Sequence, residues 1–184
     1  TASRDTLING MITETYGING DVFTSTYTPS TRTLRTVSPQ QRASNIILDN
    51  VGRPIRFTVE GDVGLDPVEL YYDEHGNLLR LDQGKRGWRF DYDLLGRLDV
   101  MSDTLHRRTF LTHDVAGRVE GATLPGNRSV GYDYDGNGNL TGLATPNGYT
   151  HRFSYSAVDL NGGYTAPSVP GVLDSTTIYS YNGD

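Results

Sequence analysis

The sequence contains no cysteine among its 184 residues. It therefore has no disulfide framework and no thiolate for nucleophilic or metal chemistry. Two methionines, one tryptophan and five phenylalanines supply few of the large apolar side chains that fill a helical core, and no sustained i, i+3, i+4 pattern marks a helix. Long apolar runs are also missing. The longest is Ile46-Ile47-Leu48, far short of the ~20 residues a membrane-spanning helix requires, and no basic-then-apolar leader opens the chain. Basic excess is absent too. With a formal net charge of −6 and arginines scattered along the sequence, the chain offers no face for a phosphate backbone, which argues against nucleic acid as a partner.

What the sequence has instead is glycine (22) and tyrosine (12), a mixture suited to turn-rich β structure with amphipathic aromatics. These residues recur in register. Tyr72-Asp73-Glu74-His75-Gly76-Asn77-Leu78, Tyr92-Asp93-Leu94-Leu95-Gly96-Arg97-Leu98, His113-Asp114-Val115-Ala116-Gly117-Arg118-Val119 and Tyr134-Asp135-Gly136-Asn137-Gly138-Asn139-Leu140 share the pattern aromatic-Asp-x-x-Gly-Arg/Asn-aliphatic. A further copy, Leu48-Asp49-Asn50-Val51-Gly52-Arg53, lies upstream, and Tyr155-Ser156 and Tyr181-Asn182 continue the series downstream. Half-period echoes occur at Ser38-Pro39-Gln40-Gln41-Arg42 and Asp103-Thr104-Leu105-His106-Arg107. A repeat of about 21 residues with a half-repeat of about 11 implies two strands per unit.

The motif specifies a hairpin. Asp followed three residues later by Gly favours a type I turn whose amides the Asp side chain caps, with Gly in the left-handed conformation that completes a three-residue loop and bulge. The turn residues so assigned are Asp49 and Gly52, Asp73 and Gly76, Asp93 and Gly96, Asp114 and Gly117, Asp135 and Gly138. The preceding segments alternate with period two, as in Trp88-Arg89-Phe90-Asp91-Tyr92 and Val130-Gly131-Tyr132-Asp133-Tyr134, which puts aromatics on one face. The expected fold is all-β: tandem antiparallel hairpins of about 21 residues forming a curved or spiralling repeat sheet. Residues 1–30 are expected to be weakly patterned upstream strands of the array. Residues 31–184 are expected to be the repeat segment proper, cut within a repeat at its C-terminus and so part of a longer polypeptide.

No chemistry-bearing constellation emerges. Asp133-Tyr134-Asp135-Gly136-Asn137-Gly138-Asn139 begins like a calcium loop, but the position of the bidentate Glu is Ala144, so no metal is expected there. Asp91/Asp93 and Asp133/Asp135 are carboxylate pairs roughly 7 Å apart along a strand, a spacing found in inverting glycosidases. The second Asp of each pair is a repeat turn residue, which accounts for it without catalysis. His75, His106, His113 and His151 lack ligand spacing. No catalytic residue, metal or cofactor is expected, and the chain reads as a non-enzyme.

These motifs resemble the YD repeats of the RHS-repeat proteins, a family that includes bacterial RHS polymorphic toxins, the C components of insecticidal toxin complexes and, more distantly, teneurins. Ser38-Pro39-Gln40-Gln41-Arg42 is similar to the family's Ser-Pro-x-Gly-Arg half-repeat, with Gln41 in place of Gly. Tyr155-Ser156-Ala157-Val158-Asp159 departs from the pattern at both the turn Asp and the Gly. The resemblance implies a structural segment of a β-sheet shell that wraps a C-terminal toxin or effector domain. Its partners would be its own flanking repeats and that enclosed domain, in a secreted or cell-surface bacterial protein. The alternative implied by the same family is a carbohydrate- or cell-surface-binding module, with Trp88, Tyr92, Tyr132 and Tyr134 as the candidate platform for glycans or a partner.

Overall fold

The computed structural model describes residues 2–6, 10–61, 64–168 and 176–182. Among them there are seventeen β-strands and no helix. Gly183 and Asp184, the end of the last partial repeat, lie outside the described residues. The chain divides into two units, Thr1–Phe90 and Asp91–Asp184.

In the first unit, β1 (Ala2–Thr6), β2 (Ile12–Ile18), β3 (Asp21–Thr28), β4 (Thr33–Val37), β5 (Ala43–Leu48), β6 (Pro54–Val59), β7 (Val68–Tyr72), β8 (Leu78–Gln83) and β9 (Arg86–Tyr92), whose last two residues Asp91 and Tyr92 fall in the second unit, follow one another in a meander. Each strand pairs antiparallel with the next in sequence. In the second, β10 (Leu98–Asp103), β11 (Arg108–His113), β12 (Val119–Leu124), β13 (Arg128–Tyr134), β14 (Leu140–Ala144), β15 (Thr150–Tyr155), β16 (Asn161–Thr165) and β17 (Thr176–Ile178) do the same. Consecutive antiparallel pairing needs only short connections, and the sequence supplies them: Asn19-Gly20, both at positive φ (52° and 90°), form the two-residue loop between β2 and β3, as an Asn-Gly primed turn requires.

The weakly patterned upstream strands pair through hydroxyls and one aromatic stack. Thr13 Oγ1 meets Thr26 Oγ1 at 3.2 Å, Ser25 Oγ meets Thr36 Oγ1 at 3.2 Å, and the Tyr16 and Phe23 rings stack with centroids 5.1 Å apart. Farther along, Arg35 on β4 holds both Glu60 oxygens at 2.8 Å, and Asn45 Nδ2 on β5 donates to the same carboxylate at 3.0 Å. The Arg35 hydrogen bond, followed by that of Asn45, lowers the Glu60 pKa to about 2.

Each unit is a sheet one layer thick. Among the described residues the only buried apolar side chains are Ala43 and Ala122. One face of the second unit carries Leu111, Ala122, Val130, Tyr132, Leu143, His151, Phe153 and Tyr164, which the register places side by side. All but Ala122 remain half-exposed. The other face is small or polar at the paired positions Thr112, Gly121, Gly131 and Ala144. An amphipathic sheet needs a second layer on its apolar side to bury what alternation placed there.

Candidate functional site

The recurring structure in this chain is its turns. In a meander the connections alternate between two edges, so within each unit the Tyr-Asp turns fall on one edge and the half-repeat turns on the other. At 49–53, 73–77, 93–97, 114–118 and 135–139 the geometry repeats closely. The Asp amide donates to the carbonyl four residues on at 2.9–3.0 Å, and the Gly amide donates back to the Asp carbonyl at 3.0–3.3 Å. All five glycines sit at positive φ, between 77° and 95°, where a side chain would be strained.

The Asp carboxylate organises each loop. Its Oδ1 accepts the amides of residues i+2 and i+4 at 2.8–3.0 Å. Its Oδ2 accepts from the side chain at i+4, which is Arg53, Asn77, Arg97, Arg118 or Asn139, at 2.6–3.0 Å. These bonds favour the ionised form. The side-chain bond from Asn77 or Asn139 is the largest influence at Asp73 and Asp135, the Arg107 side-chain bond at Asp103, and the Arg97 amide at Asp93; all four carboxyls are held below their ordinary range. At Asp49 and Asp114 desolvation is the largest single influence and acts upward. The combined bonds from Arg53 and Arg118, with the i+2 amides, outweigh it, so these two are lowered as well.

Arginine at i+4 also ties one repeat to the next. Arg53, Arg97 and Arg118 each extend Nη1 toward the Asp carbonyl of the following turn, at 3.4, 3.5 and 3.3 Å. The Arg53 and Arg118 guanidiniums lie over the Tyr72 and Tyr134 rings, 4.7 and 4.5 Å from their centroids. In return Tyr72 and Tyr134 donate their hydroxyls to the Pro54 and Val119 carbonyls, both at 2.9 Å, and Tyr181 does the same to Asn161 at 3.0 Å. Where tyrosine holds this position, as at Tyr72 and Tyr134, the ring accepts the cation and the hydroxyl satisfies the neighbouring strand's carbonyl.

The two departures from the motif fold into the same turn. Ser38 and Ser156 use Oγ where the others use Oδ1, accepting the Arg42 and Leu160 amides at 3.1 Å. Gln41 and Asp159 occupy the Gly position, each at φ 60°, and His106 does so at 59°. Asp159 adds a link of its own by accepting Nδ2 of Asn137 and Asn139 at 2.9 and 2.8 Å. The register also slips by one residue beside five Tyr-Asp-edge turns, at Ile47/Leu48, Tyr71/Tyr72, Thr112/His113, Asp133/Tyr134 and Ser154/Tyr155 on the incoming strands. No slip occurs in the half-repeat hairpins at β4–β5, β8–β9, β10–β11, β12–β13 and β14–β15. A bulge inserts one residue and raises the local twist.

The carboxylate pairs do not converge as acid and base. Asp135 is engaged by its own turn, and Asp133 lies over Gly142. His75 and His106 sit at separate turn tips, while His113 faces Val119 in the β11–β12 ladder and His151 Nδ1 meets the Tyr164 hydroxyl at 2.7 Å. Among the described residues no three His, Asp or Glu side chains group to hold a metal. Of the aromatic platform, Trp88 is exposed opposite Leu81, and Tyr132 is half-buried opposite Leu143. Tyr134 is taken up by Arg118 and Val119, and Tyr92 is half-buried at the end of β9.

A series of Asp-capped hairpins, stitched turn to turn by arginine and tyrosine in one-layer sheets, defines a YD-repeat protein. The Teneurin YD-shell family model matches residues 3–178, and the chain belongs to that family. Teneurin-m of Drosophila melanogaster is 30% identical over 141 residues, which are 74% of this chain and 5% of Teneurin-m. Among solved structures, the Tc holotoxin pore of Photorhabdus luminescens is similar with a TM-score of 0.65 and 14% identity, covering 94% of this chain and 11% of that one. TcdB2-TccC3 without its hypervariable C-terminal region gives a TM-score of 0.58 and 15% identity, covering 97% of this chain and 10% of that one. At such identities the likeness is one of fold. The chain spans a small fraction of the length of each relative.

Proposed function

We propose that this chain is a wall segment of a hollow YD-repeat shell, and that the polypeptide it belongs to encloses an effector domain until delivery. The single observation that carries this reading is the one-layer sheet, with an apolar face that no second layer of the described residues covers. A wall must be thin, continuous and lined. The hairpin series provides continuity, and the turn stitching stiffens it without a conventional core. The role is structural: the histidines and carboxylates are dispersed or spent on turns, and catalysis is assigned to the enclosed domain. The likeness to the Tc holotoxin pore of Photorhabdus luminescens favours an exported, bacterial protein.

The test is protease digestion of the full-length polypeptide that contains this segment. An enclosed effector survives digestion that destroys the same effector expressed alone. Equal digestion of the two would overturn the reading. The glycan-platform alternative has less support, since Tyr134 is committed to the stitching and Trp88 and Tyr132 belong to different units.

A further inference from the structure

The second unit is polarised in charge from edge to edge, a property that the hairpin motif does not require. Within two residues of its Tyr-Asp turns there are eight carboxylates against the guanidiniums of Arg97 and Arg118. Four of the eight, Asp91, Asp99, Glu120 and Asp133, lie outside the turns on exposed strand positions. The opposite edge reverses the balance. Arg107, Arg108 and Arg128 stand there with Asp103 as the one carboxylate among the described residues within two positions of a turn. Arg107 is spent on Asp103, whose Oδ2 accepts its Nε at 2.6 Å. Arg108 and Arg128 are exposed, and Arg128 donates Nε to its own turn's Pro125 carbonyl at 3.2 Å, which keeps its charge at the edge. They lie on adjacent turns of that edge and leave opposite faces, since Arg108 alternates with Phe110 and Arg128 with Val130.

Both edges have the same spacing. Successive turns on either edge are two strands apart, about 9.5 Å. Where the acidic edge presents side chains outward it also presents apolar tips, with Leu94 and Val115 fully exposed.

We infer that the basic edge bearing Arg108 and Arg128 docks the acidic Tyr-Asp edge of a second copy of this repeat sheet, edge to edge and in step with the two-strand spacing. The inference rests on the sheet being a wall element as proposed above. The acidic carboxylates at Asp99 and Glu120 meet the two arginines, and the equal spacing lets each turn of one sheet face a turn of the other. Such contact is heterologous, so it adds copies without closing on itself.

Sedimentation of the isolated chain tests this. At about 0.01 M ionic strength, where charges act over about 30 Å, copies should associate; at about 1 M, where the range is about 3 Å, they should separate. The R108E/R128E variant should remain monomeric at low salt, as should D99R/E120R, each with an unchanged β circular dichroism spectrum. Mixing the two variants should restore association, because a reversed basic edge then meets a reversed acidic one. Monomeric wild-type chain at low salt overturns the inference. Association that persists in both variants also overturns it, assigning contact to the open edge strands or the apolar face. Neither result bears on protection of an enclosed domain, which the digestion experiment reads separately.

Discussion

The Arg118 guanidinium lies over the Tyr134 ring at 4.5 Å from its centroid, while the Tyr134 hydroxyl donates to the carbonyl of Val119, the residue after that arginine. One side chain reaches forward a repeat and the other reaches back. The same reciprocal contact joins Arg53 to Tyr72. It makes the repeat boundary a specific contact in addition to the backbone ladder.

Arg118→Lys should therefore lower the melting temperature nearly as much as Arg118→Ala. Lysine cannot hold Asp114 through a planar fork and also lie flat over the ring. In a double-mutant cycle of Arg118→Ala with Tyr134→Leu, the coupling should be about 0.5–1 kcal/mol. Additive losses would show that the ring contact contributes nothing.

Left-handed positions held by other residues offer a stabilising change. Gln41→Gly and His106→Gly should each raise stability by up to about 1 kcal/mol, because relief of the left-handed cost of about 1–2 kcal/mol exceeds glycine's added chain entropy. Gly96→Val and Gly117→Val should instead cost about 1–3 kcal/mol. His75→Ala and His106→Ala should stay within about 0.5 kcal/mol, since neither removes a glycine or a cap. A melting series in one buffer ranks these variants; histidine losses larger than the glycine losses would reverse the assignment.

Acid should loosen the turn row. Asp49, Asp73, Asp93, Asp103, Asp114 and Asp135 all have folded pKa values held below the ordinary aspartate range by their turn hydrogen bonds. A depressed folded pKa gives stability that is present above the unfolded value and lost as pH falls through the folded one. Melting temperature should thus be insensitive to these groups above about pH 5 and should fall below about pH 4, close to the unfolded Asp value. Asp114→Asn should melt lower at neutral pH and show a shallower acid limb. An acid limb unchanged by that substitution would remove Asp114 from the account.

The period and the turns were legible because Asp and Gly occupy chemically demanding positions: few residues can cap two amides, and few tolerate φ near 80°. The turns at Ser38 and Ser156 were less legible, because a serine Oγ can replace a carboxylate oxygen and Gln41 or Asp159 can accept a left-handed backbone at some cost. The consensus placed arginine or asparagine after the glycine without giving it a task. Its contacts 17 to 20 residues away, as in Arg53 to Asp73 and Arg118 to Asp135, depend on strand pairing that spacing alone does not display. The bulges left no composition signal either, since the inserted positions are as different as Ile55, Glu120 and Thr141.

Residue-resolved hydrogen exchange across 114–118 and its equivalents tests the central claim, that Asp-capped turns are closed units repeated along the sheet. Asp114, Ala116, Gly117 and Arg118 all donate their amides within the turn. These amides should exchange slowly, while Val115, at the tip, should exchange first. The same order should recur at 73–77, 93–97 and 135–139, with Glu74, Leu94 and Gly136 as the fast positions. Exchange of whole turns at the rates of an unstructured peptide would contradict the account.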